Sequence, residues 1–268
     1  MGRSHRWDGA GLITPLANAD QACDVGGEPS SFLPLMPRKD ANKLTRVVGA
    51  LLDQHGKIAA PPPVNAFEHV LWEKVAYLAT DDVRTRAFEE LRTRVGLSPR
   101  DILDAKPSTL REVARIGGAI GVDDRVRHMQ DAAVFVVDTF EGSLDKALRL
   151  PRRDAMRALR KIHGVGEPGA EKILLFTRTE RLLPLDSNGA RLLVRIGYGA
   201  DDKNYSTMYK SVRDAAAPEL VPRFDWLIDA HLVLRRHGQT ICKTSAPRCA
   251  ECSVRAECAF AGATLRRS

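Results

Sequence analysis

No run of apolar residues in this chain approaches the roughly 20 needed to span a bilayer. The opening stretch, MGRSHRWDGAGLITPLANAD, lacks the unbroken apolar centre of a secretory signal, so a cytoplasmic setting is expected. Aromatic residues are scarce, at 6% against 28% charged, which favours a helical soluble protein over a β-rich one. Cysteine is scarce too. There are five, four of them crowded near the C-terminal end, and in a cytoplasmic setting that crowding points to metal before disulfides. Acidic residues fall short of basic ones, leaving a formal charge of +7 and a pI near 9.3. That balance suits a polyanion partner but supports nucleic acid only weakly by itself. No internal repeat is evident. At 268 residues the chain has material for one or two domains with sizeable cores.

What is present is mostly helix. Residues 1–37 show no sustained period and read as an irregular extension, with Cys23 an unpaired thiol and Trp7 unassigned. From Arg38 to His55, Leu44, Val47, Val48, Leu51 and Leu52 mark an amphipathic helix, which Ala60-Pro61-Pro62-Pro63 separates stiffly from the rest. Asn65 opens a second helix, with Glu68 as capping-box partner, expected to run to about Ala79. Helical spacing would put Glu73 and Tyr77 on one face of it, beside Trp72, where they could line a pocket. Further helices are expected over Val83–Val95, from Ser98-Pro99, from Ser108 or Thr109 to Gly117-Gly118, and from Asp123 or Asp124 to Phe140. Arg125 and Arg127 reach either phosphate or solvent. Ser206–Ala216 and Arg223–His237 follow, with His231 expected as a buried, hydrogen-bonded histidine. Short loops and no strand alternation make the fold all-α.

The central stretch runs from Leu159 to Ile196. His163-Gly164-Val165-Gly166 breaks one helix, its glycines permitting positive φ and close backbone approach. Pro168 sits where a first-turn proline is tolerated, and a second helix follows through Ala170, Ile173, Leu174 and Phe176. The amides of Gly164, Val165 and Gly166 and the new helix N-terminus can face outward together as an anion site. Asp186 comes 20 residues after Gly166, with Ser187 or Asn188 expected to cap the next helix. A phosphate clamp thus lies beside an acid. Further on, Cys242, Cys249, Cys252 and Cys258 give C-x6-C-x2-C-x5-C, one close pair flanked by longer arms. Four thiolates suit tetrahedral zinc or an iron–sulfur cluster.

These motifs resemble the helix-hairpin-helix and Gly/Pro-Asp signature of the endonuclease III and adenine glycosylase superfamily of DNA repair enzymes. The likeness runs from about Arg38 to Phe260, specific at the hairpin, aspartate and cysteines. It implies two helical domains with the base-binding cleft between them. These are a helical barrel over residues 65–183 and a cluster domain over 184–268, against which 38–64 packs. It implies a [4Fe–4S] cluster on the four cysteines, and Asp186 as the catalytic acid of base excision. Leu78 takes the position of a side chain that fills the gap left by an extruded base, an apolar wedge if it is not core. Lys243 and Arg248 would dock phosphate. The partner implied is double-stranded DNA carrying a lesion or mismatch, met by a monomer in the cytoplasm or nucleoid. One departure matters: Gly164-Val165-Gly166-Glu167-Pro168 has proline where bifunctional members carry their Schiff-base lysine. The usual β-lyase route is therefore excluded, and Lys172 stands four residues on. Glu167 puts an unfavourable charge beside the anion site. A non-catalytic damage sensor on the same scaffold, or a lyase with a relocated amine, are the rival expectations.

Overall fold

The computed structural model describes residues 41–265, so the expectations for residues 1–37, Cys23 included, lie outside the described residues. Within them the chain is helical and contains no strand. The first set of helices is α1 (Lys43–His55), α2 (Ala66–Val75), α3 (Asp81–Arg94), α4 (Pro99–Asp104), α5 (Pro107–Ile116) and α6 (Val122–Phe140). Then come α7 (Asp145–Leu148), α8 (Arg152–Leu159), α9 (Glu167–Phe176) and α10 (Ser187–Ile196). The chain closes with α11 (Tyr205–Ala216), α12 (Phe224–Thr240) and α13 (Ala259–Leu265).

The apolar stripes sort these helices into two groups. Helices α2 to α9 pack on one another, with α6 against α2, α4 and α5. Helices α1, α10, α11, α12 and α13 form the second group, with α10 and α1 both laid on α12. The first of the described helices therefore joins the last ones. Helix α9 touches both groups, packing on α2, α8 and α12. It brings the hairpin to their junction. One continuous apolar core, from Leu44 to Val254, runs beneath; a fully buried Leu in it is worth about 1.5–3 kcal/mol.

The end of α2 departs from the periodicity. The helix stops at Val75 instead of Ala79, and Ala76 is already extended. Tertiary contacts explain this. Arg125 is buried, and its guanidinium donates to the carbonyls of Val75 (2.7 Å), Gly118 and Ile120 (3.2 Å). The Tyr77 amide donates to the Gly117 carbonyl instead of continuing the helix. Arg125 is thus neither a phosphate contact nor a solvated arginine but a staple between two loops. Other helix starts also shift. Pro107 opens α5 ahead of Ser108, and Gly121 precedes α6 in the left-handed region at φ 59°. Asn204 caps α11, bonding the amides of Ser206 and Thr207.

Candidate active site

The hairpin is built by α8, the turn His163–Gly166 and α9. Gly164 has φ +74°, a region L side chains rarely occupy. Lys74 of α2 reaches under the turn and donates to the His163 carbonyl. His163 stacks on His128, ring centroids 3.9 Å apart. Gly164 and Gly166 are exposed, whereas Val165 is buried and its amide is spent on the Ile162 carbonyl at 3.0 Å. Val165 therefore serves the core and not an anion. No side chain caps the N-terminus of α9, which keeps its first-turn dipole directed outward.

Glu167, awkward in sequence, is accounted for. Its carboxylate pairs with Arg213 of α11 at 2.5 Å, and Arg213 also holds Glu171 at 3.0 Å. Glu171 is 1% exposed and accepts from the Tyr209 hydroxyl. Burial pushes the Glu171 carboxyl up, against the pull of Tyr209 and Arg213. The negative charge beside the hairpin is thus drawn toward α11.

Asp186 itself caps α10, displacing Ser187 and Asn188 from that role. Its Oδ1 accepts from the amides of Asn188 (3.0 Å) and Gly189 (2.8 Å), and Oδ2 from the Asn188 side-chain amide (3.1 Å). Behind it stands Arg235 of α12, its Nε 3.5 Å from Oδ2. Arg235 grips Asp81 with both terminal nitrogens, at 2.8 and 2.7 Å. The hydrogen bonds from Arg235 hold the Asp81 carboxyl below its ordinary range. His231 is buried as expected, and its Nδ1 donates to the Pro184 carbonyl at 2.8 Å, fixing the strand of chain that leads to the acid. Helix α12 passes so close that a Cβ on Gly238 would lie 2.5 Å from the Asn188 carbonyl oxygen. The carboxylate remains 27% exposed, so it is held yet reachable.

Lys172 of α9 donates to Glu73 of α2 at 2.6 Å. Desolvation opposes ionisation of Glu73, but Lys172 and Arg84 outweigh it and hold the carboxyl at about 2. Of the expected pocket residues, Glu73 and Tyr77 are exposed but do not share a helical face, because α2 has already ended. Trp72 is core: it meets Phe88 edge-on and is covered by Arg84, so no base can stack on it. Leu78 is the opposite. It is 79% exposed, at φ 50°, and therefore not core. A non-glycine residue there carries strain of order 1 kcal/mol or more. Ile120, 59% exposed, lies on the loop that Arg125 staples to the same place. Sequence reasoning missed it; its only signal was an apolar residue flanked by Gly118 and Gly121.

The four C-terminal cysteines line one hollow, walled also by Leu192, Ile241 and Val254. Arg195 donates to Cys242 Sγ at 3.2 Å. His237 Nε2 lies 3.4 Å from Cys252 Sγ, and its Nδ1 lies 2.9 Å from His55 Nε2. These are fitting neighbours for thiolates, since N–H groups offset sulfur-borne charge. Among the described residues no three His, Cys, Asp or Glu close on a single metal ion. Arg248 is committed within this loop, to Glu251 at 3.0 Å and the Thr240 carbonyl at 2.8 Å, whereas Lys243 is exposed.

Comparison with known proteins bears on the fold. Endonuclease III of Sulfolobus acidocaldarius is 25% identical over 197 residues, 73% of this chain and 82% of the relative. A non-covalent endonuclease III–DNA complex superposes with TM-score 0.65 at 18% identity, covering 83% of this chain and 97% of that one. The chain has the helix-hairpin-helix DNA glycosylase fold. A thermostable thymine-DNA glycosylase shares this glycosylase fold at TM-score 0.65 and 15% identity, over 82% of this chain and 97% of the other. No family model matches. No helix among the described residues is long and apolar enough to cross a membrane.

The buried imidazoles make the glycosylase fold sensitive to acid. Burial lowers His69 and His231 to about 4, from an ordinary 6.5. The folded form refuses protons that the unfolded chain accepts, so stability is complete above pH 6.5 and is lost as pH falls toward 4. At pH 5 the loss should be roughly 2 kcal/mol for each histidine. Urea midpoints at pH 7 and pH 5 check this, and equal midpoints would refute it.

Proposed function

We propose that this protein is a base-excision DNA glycosylase that hydrolyses the N-glycosidic bond of a damaged or mispaired base. The observation carrying the proposal is the Asp186 carboxylate, fixed by two backbone amides and Arg235 yet still partly exposed, in a chain whose hairpin leaves a helix start uncapped. In this reading the exposed amides of Gly164 and Gly166 and the first turn of α9 hold a backbone phosphate without reading sequence. The target nucleotide leaves the stack. Leu78 fills the gap it leaves. As the bond breaks, positive charge builds on the sugar, and Asp186 stabilises it and orients or deprotonates water. Arg235 keeps that carboxylate in place.

Cys242, Cys249, Cys252 and Cys258 would hold a [4Fe–4S] cluster, which supplies a cross-link that shapes the loop carrying Lys243. The protein would act as a monomer on double-stranded DNA, with the barrel and cluster domains divided near residue 184.

Two features favour hydrolysis without strand cleavage. Pro168 offers no amine, and Lys172 is paired with Glu73. Incubation with duplexes bearing uracil, thymine glycol, adenine opposite oxidised guanine, or alkylated bases should give abasic sites that need alkali to break. Borohydride should trap no adduct. A trapped adduct that disappears in Lys172→Ala would establish the lyase instead, and lesion affinity without any base release would establish a sensor.

A further inference from the structure

We propose that the outward face of α8 is a second DNA-contacting surface, which carries the duplex flank beyond the hairpin. The inference extends the DNA-directed reading above from the lesion to its surroundings. Helix α8 and the residues after it bury Ala155, Ala158, Leu159 and Ile162 on one side. The opposite side presents Arg152, Arg153, Arg157, Arg160 and Lys161, all exposed. This is not the usual solvated face of mixed charge. On α3, Arg92 and Arg94 each meet a glutamate, within the helix or on α5. On α8 only Arg157 has an acid, Asp154 at 2.9 Å. Among the described residues the side chains of Arg152, Arg153, Arg160 and Lys161 have neither ion pair nor hydrogen bond.

The acids that border this face do not cancel it. Glu167, Glu171 and Asp214 share a groove with the α8 arginines and all contact Arg213, and the cations lining that groove still outnumber them. Several uncompensated cations on one helix are self-repulsive, and a polyanion relieves that cost. The strip is also continuous with the proposed phosphate site, because Arg160 and Lys161 lead directly into His163-Gly164. From Arg152 to Arg160 it extends about 12 Å at helical rise. A DNA strand carries one phosphate per roughly 3.4 Å of axis, so about three phosphates fit along it. A duplex held at the hairpin and laid along α8 would meet cations with no change of fold.

The test uses the full chain with Arg152, Arg153, Arg157 and Arg160 all changed to Gln, and undamaged duplexes of about three helical turns and about one turn. Affinity for the long duplex should fall at least about tenfold, and the slope of log K against log salt should become shallower by about three. Affinity for the short duplex should hold, as should single-turnover base release at saturating protein. Unchanged long-duplex affinity and slope would overturn the proposal. Should the quadruple variant lose helical ellipticity, single Arg→Gln variants decide: each should lower the slope by just under one, and four unaltered slopes also overturn it. A quadruple Arg→Lys variant should retain the slope. Because undamaged duplex binding is read without any base release, a protein that releases no base but shows the slope change fails only the glycosylase reading.

Discussion

Asp186→Asn should slow base release by about 10²- to 10⁴-fold while leaving duplex affinity within a few fold. The substitution is chosen for what it retains. Asparagine still presents an oxygen to the Asn188 and Gly189 amides, so α10 keeps its cap, and asparagine is among the better N-cap residues. What disappears is the negative charge that would meet the developing positive sugar. Each tenfold loss in rate corresponds to about 1.4 kcal/mol of barrier. The measurement is single-turnover release from whichever lesion the wild type accepts, alongside a thermal midpoint to show the fold is intact. Full activity in the variant would end the proposed mechanism, whatever the fate of the fold.

Loss of a single thiol should have the other large effect. In Cys242→Ala the chain should lose the blue-visible absorbance of an iron–sulfur cluster and become open to protease between residues 242 and 258. The reason is local. That segment has two short 3-10 turns, Cys249–Glu251 and Arg255–Glu257, and few apolar contacts besides Val254, so the cysteines' shared centre would supply most of its order. Helices α1, α10 and α12 pack on one another independently of it and should remain helical. Duplex affinity should drop by about tenfold or more as the loop bearing Lys243 is lost. Spectroscopy, limited proteolysis and binding on one preparation decide this; a colourless wild type with zinc bound would refute it.

Much of this molecule was legible in its sequence where local chemistry decides. The glycine turn and the apolar stripes of α1, α6 and α12 each depend on near neighbours, and each is found where the residue pattern placed it. What escaped depends on partners far along the chain. Nothing near Val75 says that α2 stops there; the reason is a guanidinium 50 residues away. Glu167 reads as a misplaced charge until Arg213, 46 residues on, comes into contact with it. Arg235 carries no motif, yet it backs the acid. The dual use of Asp186 as helix cap and candidate acid was half visible: the loop called for a cap, and the short side chains after the aspartate competed for the role.

The contact between Gly238 and Asn188 has a wider consequence. Two main chains meet there with no side chain between them, so the spacing of α10 and α12 is set by backbone van der Waals radii. Any side chain at position 238 would push α12 off α10, and with it the arginine on one helix away from the acid on the other. The distance that the chemistry depends on is thus tied to a residue that takes no part in it.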